Sequence, residues 1–322
     1  MFIKKRKSWE IAEREATPEG VYLNRRQIMA GAGAIGLAGA LGTVRSAFAA
    51  TDDERKALSA PRNEAFQLDR EMTPEEVNLS YNNFYEFGSH KEIAKDAQAL
   101  EARPWQVTID GMVDKPITMD IDELINKMGI EERLYRHRCV EAWSMTVPWI
   151  GFPLSKLVEL AAPQSGAKYL KMTTFNDPNV ARGIKTQPWY PWPYVEGLTI
   201  EEAQNDLAFM VVGAYGKEVA DQMGAPLRLA VPWKFGFKSI KSITNFTFTN
   251  ERPVSFWEQL QAKEYGFWAN VNPEVSHPRW TQATERVLHT GERVPTLLFN
   301  GYGEQVADLY TGMEAEGDRL YR

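Results

Sequence analysis

Residues 135–144 read YRHRCVEAWS and contain Cys139, the single cysteine of the 322-residue chain. A lone cysteine excludes an internal disulfide, a zinc ribbon and a redox dithiol, and it leaves a buried small residue, a nucleophile or a metal ligand. Arg136 and Arg138 stand close by, and cationic neighbours favour the thiolate form that soft metals prefer. His137 would share a strand face with the cysteine, which keeps a cysteine–histidine hydrolase open.

The segments around this stretch predict short, mixed elements. Residues 105–111 alternate apolar and polar, and residues 134–140 predict a strand that ends near the cysteine. Asp120 caps a predicted helix with apolar residues at helical spacing, Glu123 at the capping-box position and Gly129 at its end. Further predictions are a helix over 154–161 and strands over 168–174, 207–212, 227–232 and 242–249. Without a regular β–α–β alternation, these elements predict an α+β fold in a single large domain.

Composition and charge narrow the class of protein. The chain is 43% apolar and has ten tryptophans, enough for a packed core. Residues 1–50 carry a formal charge of +4 and the remainder about −10, and an acidic body argues against nucleic acid as a partner. Phosphate-loop, serine-elbow and HExxH motifs are missing, and the four histidines are scattered.

The first fifty residues are typical of an export signal. Arg25 and Arg26 precede the apolar run 29–42, and an A-x-A cleavage pattern follows at 47–49. We therefore predict a twin-arginine signal peptide over 1–50, export by the twin-arginine (Tat) machinery, and a periplasmic protein that acquires its cofactor before export. An uncleaved anchor helix is the alternative. A lead-in over 51–80 and an oxidoreductase domain over 81–322 complete the predicted organisation.

Several motifs occur in the same order as in a known enzyme family. They are 81–87 (YNNFYEF), 138–144 (RCVEAWS), 147–154 (VPWIGFPL), 194–198 (YVEGL), 224–229 (GAPLRL), 231–243 (VPWKFGFKSIKSI) and 265–273 (YGFWANVNP). With them the chain resembles the sulfite-oxidase-like molybdopterin enzymes, and among these the periplasmic protein-methionine-sulfoxide reductases. One departure is Met223, which stands where the family pattern has an asparagine and cannot supply an amide's donors and acceptor.

The resemblance implies a Mo-molybdopterin cofactor and a role for each matching residue. Cys139 would be the catalytic thiolate ligand of the metal. Asn83 and Glu141 would lie beside the metal, with Glu141 as a proton relay or, alternatively, a solvated charge. The implied cofactor-binding residues are Asn82, Tyr85, Glu86, Thr174, Arg228, Ser239, Ile240 and Lys241. Arginine is well matched to phosphate oxygens, which suits a pterin phosphate.

The resemblance also implies a reaction and its partners. Oxidised periplasmic proteins would be the substrates, and methionine sulfoxide would be reduced to methionine. The chain has no C-x-x-C-H and no flavin or nicotinamide fingerprint, so electrons would come from a haem-containing membrane subunit fed by the quinone pool. Residues 187–194 (QPWYPWPY) predict either an aromatic lip for the substrate chain or a packed, rigid loop. We expect a monomer, because little sequence after residue 250 is left for a dimerisation domain.

Three alternatives stay open at this point. The same chemistry would serve a reductase of small S- or N-oxides or a sulfite dehydrogenase. A carboxylate at Glu141 argues against sulfite, because like charges repel. From another class of protein, a non-catalytic periplasmic binding protein of the same fold also fits.

Overall fold

The structure, a computed structural model, describes residues 55–322. Its helices are α1 (Glu75–Ser80), α2 (Ala94–Ala97), α3 (Ile121–Met128), α4 (Leu154–Ala161), α5 (Arg182–Thr186), α6 (Ile200–Gln204), α7 (Phe256–Gln261) and α8 (Gly303–Val306). Its strands are β1 (Gln106–Gly111), β2 (Ile117–Asp120), β3 (Glu131–Cys139), β4 (Trp143–Pro153), β5 (Tyr169–Thr174), β6 (Val195–Thr199), β7 (Phe209–Ala214), β8 (Lys217–Glu218), β9 (Arg228–Ala230), β10 (Ile243–Thr249), β11 (Thr284–Val287) and β12 (Arg293–Pro295). Segments of 3-10 helix lie at Asp221–Met223, Gly236–Lys238, Leu298–Gly301, Ala307–Tyr310 and Glu314–Tyr321. The predicted signal over residues 1–50 lies outside the described residues.

Two mixed sheets form the framework. The first has the strand order β2-β1-β10-β5-β6, with β1 and β10 parallel and the other neighbours antiparallel. The second has the order β12-β11-β4-β7-β8, with β3 beside β4, β9 beside β7, and β11 parallel to β4. Short helices connect these strands without a repeating β–α–β order, which confirms the predicted α+β fold.

The β3–β4 hairpin carries the cysteine stretch. It pairs the whole of β3 with β4, and its last pair is Cys139 with Trp143. In the turn that follows, Ala142 adopts a φ of 60° and its N–H donates to the carbonyl of Cys139 at 3.1 Å. Residues 143–152 are buried throughout, because β4 also pairs with β7 and β11. The hairpin therefore holds the cysteine on a firmly packed support.

Helix α3 begins and ends where the sequence predicts. The side chain of Asp120 accepts a hydrogen bond from the N–H of Asp122 at 2.9 Å, and Gly129 follows the helix with a φ of 63°. Glu123, predicted as the capping-box partner, lies instead 3.5 Å from Lys127 on the exposed face. The predicted apolar stripe of α4 is buried at each of its four positions.

Residues 55–80, the described part of the predicted lead-in over 51–80, are attached to the second sheet. Ala57 bridges to β8 and Arg62 bridges to β3. Further along, the N–H of Thr73 donates to the carbonyl of Thr146 at 2.9 Å. Within residues 55–322 no helix is both long and apolar enough to cross a membrane.

Candidate active site

One cleft gathers nearly all of the predicted site residues. It encloses about 940 Å³ with its open mouth included, and it lies at the end of the β3–β4 hairpin. The predicted residues that line it are Cys139, Glu141, Asn82, Asn83, Tyr85, Glu86, Arg228, Ser239, Ile240 and Lys241. Thr174 lies behind this wall, where its Oγ1 donates to the main-chain oxygen of Lys241 at 2.8 Å.

Cys139 is buried, and its Sγ faces two hydrogen-bond donors. The main-chain N–H of Glu141 lies 3.5 Å from Sγ, and Nδ2 of Asn83 lies 3.6 Å from it. Burial and the Glu141 carboxylate raise the pKa of the Cys139 thiol to about 12. Arg138 lowers this pKa, as the sequence predicts for a cationic neighbour, but burial and Glu141 outweigh its charge. A bound metal ion deprotonates a coordinating thiol directly, so the high pKa is compatible with a metal ligand.

The flanking arginines are engaged by other partners, which explains why their effect on the thiol is small. Arg138 is fully buried, and its guanidinium donates to Glu285 at 2.9 Å and to Gln282 at 2.8 Å. Its charge lowers the pKa of the thiol less than burial and Glu141 raise it. Arg136 points away from the cleft and donates to the main-chain oxygen of Asn300 at 3.2 Å.

The turn after Cys139 is held by a distant part of the chain. The main-chain oxygen of Val140 accepts hydrogen bonds from Nε1 of Trp280 at 2.8 Å and from Nε2 of Gln282 at 2.9 Å. Trp280 stands 140 residues further along the chain than Val140. The position of the thiol therefore depends on a segment that the cysteine motif does not include.

Glu141 is held beside the thiol by three donors. Its Oε2 lies 3.0 Å from Nε1 of Trp143 and 3.4 Å from Nδ2 of Asn83, and it also contacts the ammonium of Lys91. Burial raises the pKa of Glu141, but the hydrogen bonds from Lys91 and Trp143 more than offset this and leave the pKa below its ordinary value. The side chain is 34% exposed, so Glu141 is a partly buried charge within a network. Lys91 stands outside the 81–87 motif, and its place in the site was not predicted.

A basic wall faces the same cleft. Arg228 is buried, donates to the main-chain oxygens of Met223 at 2.7 Å and Ser239 at 3.3 Å, and lies over the ring of Trp149. It forms no ion pair with any carboxylate of residues 55–322, and burial lowers its pKa to about 10. Burial also lowers the pKa of Lys241, and the charge of Arg228 adds to this effect. The charge of Glu86 partly offsets this lowering for Lys241, whereas burial is the cause that acts on Arg228. A buried cation without a carboxylate partner, as Arg228 is among residues 55–322, fits a ligand that carries an anion, such as a phosphate.

The loop before α2 contributes polar groups to the cleft. Nδ2 of Asn82 donates to the main-chain oxygen of Asn78 at 2.9 Å, whereas its buried Oδ1 has no partner among the described residues. Tyr85 packs edge-on against Trp257, with ring centroids 4.8 Å apart. Glu86 is buried, and burial raises its pKa above the ordinary value. An unpaired acceptor in the lining fits a ligand that donates hydrogen bonds.

His137 lines the cleft but is not paired with the thiol. Its ring lies against Gly236, where an added Cβ would stand 2.6 Å from Nε2. Burial, together with the charges of Arg228 and Lys241, lowers the pKa of His137 to about 3. The hydrogen bonds at Sγ come from Asn83 and the Glu141 main chain, so the geometry does not support a cysteine–histidine hydrolase. In the part of the chain that the structure describes, no three His, Cys, Asp or Glu side chains form a metal-binding cluster.

Comparison with known proteins agrees with this chemistry. The profile of the oxidoreductase molybdopterin binding domain matches residues 90–257. The chain is also 45% identical, over 313 residues, to the protein-methionine-sulfoxide reductase catalytic subunit MsrP of Burkholderia mallei. That match covers 95% of this chain and 94% of the relative.

The chain belongs to the molybdopterin-binding oxidoreductases.

Among solved structures, a similarity is found to the sulfane dehydrogenase SoxCD of Paracoccus pantotrophus. The sequence identity is 15% and the TM-score is 0.44, and the match covers 73% of this chain. The chain spans about 60% of the length of that protein.

The predicted enzyme class and cofactor class are confirmed by this membership. The residues present also fit a molybdopterin. The basic wall of Arg228 and Lys241 fits its phosphate, and the unpaired Oδ1 of Asn82 fits its donor groups. The matched range 90–257 includes Cys139, whereas Asn82 lies before it and is covered by the similarity to the Burkholderia reductase.

Proposed function

We propose that the chain is a molybdenum reductase that converts methionine sulfoxide in oxidised proteins back to methionine. The observation that carries this proposal is the position of Cys139. Its thiol lines an open cleft whose wall also contains the buried cation Arg228, so one ligand can reach both a thiol and a phosphate-binding group. The similarity to a protein-methionine-sulfoxide reductase over nearly the whole chain supports the substrate class.

The reaction consumes two electrons and two protons for each sulfoxide, and it releases a thioether and one water molecule. When bound, the molybdenum cofactor supplies two-electron oxygen-atom transfer chemistry. In our proposal the Cys139 thiolate binds the metal. The residues that would hold the pterin are Asn82, Tyr85, Glu86, Arg228, Ser239, Ile240 and Lys241, with Thr174 supporting Lys241 from behind.

Glu141 and Asn83 would act on the substrate side of the thiol. The Glu141 carboxylate lies in the cleft beside Cys139 and pairs with Lys91, so no net positive charge remains there to attract sulfite or nitrate, while a neutral sulfoxide is tolerated. Because Glu141 is partly exposed, we propose that it also passes protons from solvent to the cleft. Asn83 would tune the metal through its ligand, because Nδ2 of Asn83 lies 3.6 Å from Sγ of Cys139.

The partners and location of the enzyme are part of the proposal. We infer that Tat export delivers the chain to the periplasm, because residues 1–50 contain an arginine pair, an apolar run and an A-x-A pattern. Electrons would come from a haem-containing membrane subunit and the quinone pool. The relative is named a catalytic subunit, which supports a separate partner of this kind. Apart from that partner, we expect a monomer.

The test is the metal and pterin content of protein isolated from the periplasm, for wild type and for Cys139→Ser. We expect about one molybdenum per wild-type chain, and loss of the metal or an altered metal spectrum in the variant. Rates with protein-bound methionine sulfoxide, trimethylamine N-oxide and sulfite then identify the substrate. Wild-type protein without molybdenum, made in a host that supplies the cofactor, would favour the binding-protein alternative. Faster turnover of the N-oxide than of the sulfoxide would favour a reductase of small oxides, and faster turnover of sulfite would favour a sulfite dehydrogenase.

A further inference from the structure

Lys91 reaches back from the end of the loop before α2 into the network around the thiol. Its ammonium contacts both Oδ1 of Asn83 and Oε2 of Glu141. Its main-chain oxygen accepts a hydrogen bond from the N–H of Asn82 at 3.1 Å, which closes the loop on itself. The side chain is 20% exposed, and its ammonium lies 5.7 Å from the ring centroid of Tyr81. Lys91 therefore connects this loop to the β3–β4 hairpin at the level of Cys139.

The contact with Lys91 determines which end of the Asn83 amide faces the thiol. An ammonium group only donates hydrogen bonds, so it must meet the oxygen of the amide and not the nitrogen. Nδ2 is then turned towards Cys139, 3.6 Å from Sγ, and towards Glu141, 3.4 Å from Oε2. An amide without such a neighbour could present either end, since the two ends have nearly the same shape.

The same ammonium also fixes the carboxylate of Glu141. Oε2 receives Lys91 together with the indole N–H of Trp143 at 3.0 Å and the amide of Asn83. The lysine charge balances the carboxylate, so the network beside the thiol is close to neutral. A network of this kind presents a fixed donor without a net positive charge, which suits a neutral oxygen-bearing substrate better than an anion.

We propose that Lys91 is a positioning residue, which orients Asn83 as a hydrogen-bond donor towards Cys139 and holds the Glu141 carboxylate in place. This inference rests on the proposed function for the role of Cys139 as metal ligand. Lys91 itself would touch neither the substrate nor the cofactor. Its effect would pass through Asn83 and Glu141, as is common for residues that support the ligands of a metal site.

The first test compares Lys91→Met with Lys91→Arg. We expect Lys91→Met to keep wild-type molybdenum and pterin content, to change the electron paramagnetic resonance spectrum of the Mo(V) state, and to lower kcat/KM about 10- to 100-fold. Lys91→Arg keeps the charge and the donors, so its Mo(V) spectrum and its kcat/KM should both be close to those of wild type. Lys95→Met, an exposed lysine on α2, is the matched control and should resemble wild type in all three measurements.

A Lys91→Met protein with a wild-type spectrum and wild-type kcat/KM would overturn the proposal. So would a Lys91→Arg protein as impaired as Lys91→Met, because the role assigned to Lys91 consists of its charge and its donors. Should Lys91→Met lose the cofactor or fail to fold, Asn83→Asp decides the question. Aspartate has the shape of asparagine and can still accept from Lys91, but an ionised carboxylate cannot donate to the thiol.

We expect Asn83→Asp to retain the cofactor, to change the Mo(V) spectrum and to lower kcat/KM about 10- to 100-fold. An Asn83→Asp protein that matches wild type in both would refute the assigned donor role. The spectrum reports the surroundings of the metal whichever substrate is reduced. Failure of this inference is therefore distinguishable from failure of the proposed function, which would appear as wild-type protein without molybdenum or without sulfoxide turnover.

Discussion

Glu285 is the buried carboxylate that neutralises Arg138 and Arg70 next to the cysteine strand. It lies 2.9 Å from Nε of Arg138 and 2.8 Å from Nη1 of Arg70, and the Arg138 pair is shielded from solvent. Removal of one partner from a buried ion pair leaves an unpaired charge and costs about 3–5 kcal/mol. We expect Glu285→Gln to lower the free energy of unfolding by this amount at pH 7, as measured by urea denaturation.

The loss of stability in Glu285→Gln should depend on pH. Burial would raise the pKa of Glu285, but Arg70 and Arg138 together hold the pKa below its ordinary value. Because the pKa of Glu285 is lower in the folded protein than its ordinary value of 4.5, its ion pairs contribute their full stability above pH 4.5. This contribution is lost as the pH falls through the folded-state pKa. The difference between wild type and variant should therefore shrink in acid, and a constant difference would contradict the assignment. Asp122→Asn, at an exposed pair with Arg103, is the control and should change stability by less than about 1 kcal/mol.

Most of the candidate site could be predicted from the sequence because its members belong to long motifs. Cys139 and Arg228 are examples, and both line the cleft. The pKa of the thiol could not be predicted. Arg138, the residue before Cys139, pairs with Glu285, which lies 147 residues further along the chain. Lys91 was missed for a similar reason, since only the folded loop brings it to Asn83 and Glu141.

Among the elements, the 3-10 helix Asp221–Met223 ends at a glycine on which Lys241 depends. Gly224 has a φ of +108°, and an added Cβ would stand 2.6 Å from Cβ of Lys241. Gly224→Ala should therefore displace Lys241 and reduce bound pterin, besides a backbone cost of about 1–2 kcal/mol. Pterin per chain and the free energy of unfolding are the measurements.

Gly216 provides the matched control for this substitution. It has a φ of +76°, yet no atom lies within 4 Å of an added Cβ. Gly216→Ala should show the backbone cost alone and keep its pterin. Equal pterin contents in the two alanine variants would show that Lys241 does not need the space at Gly224.

The segment 187–194 contains both an exposed aromatic side chain, as in a lip, and a packed one, as in a rigid loop. Trp189 is 70% exposed, whereas Trp192 packs on Phe256 with ring centroids 4.9 Å apart. Tyr190 lies between Trp189 and Tyr85 of the cleft, at centroid distances of 6.1 Å and 6.5 Å. Aromatic contacts thus run from the exposed indole of Trp189 to Tyr85 in the cleft, which favours a role of Trp189 in contacting a substrate chain.

For this segment we expect two separate effects. Trp189→Ala should raise KM for peptide-bound methionine sulfoxide a few-fold and leave free methionine sulfoxide unchanged, because the free amino acid is too small to reach the lip. Trp192 is partly buried, so Trp192→Ala should mainly lower stability, by less than the about 3–5 kcal/mol that loss of a fully buried tryptophan costs. Unchanged peptide kinetics in Trp189→Ala would reject the lip.

Elements with a clear periodicity could be predicted, and the others could not. The predicted strands over 168–174 and 242–249 appear as β5 and β10, within one residue at each end. Strand β4 was not predicted, because its residues are buried on both faces and do not alternate. The capping box at α6 was also missed, since its motif, Thr199 and Glu202, is short and common.

For the molecule as a whole, the cleft is built from segments that are far apart in sequence. Residues 82–86, 139–141, 228 and 239–241 all line it. A bound cofactor would tie these segments together and stabilise the folded state by mass action. Hydrogen exchange on cofactor-free and loaded protein should show extra protection in these segments, and little change in α3 and β2. Extra protection of similar size in all of these segments and in α3 and β2 would argue against a local role of the cleft.

The arrangement of the two sheets could not be predicted from local sequence patterns. Strand β1 pairs in parallel with β10, as in Thr108 with Asn245, and no local pattern specifies such a partner. Local signals indicate where strands occur, but long-range packing decides which strands become neighbours.

The hydrogen bonds from Trp280 and Gln282 to Val140 have a consequence for biosynthesis. Chains are synthesised from the amino terminus, and the segment that secures the turn after Cys139 leaves the ribosome about 140 residues later than the cysteine. A nascent chain that has just exposed its thiol would therefore lack the final support of the metal site. We expect the cofactor to be inserted after translation, into a chain that has already folded around its late segment.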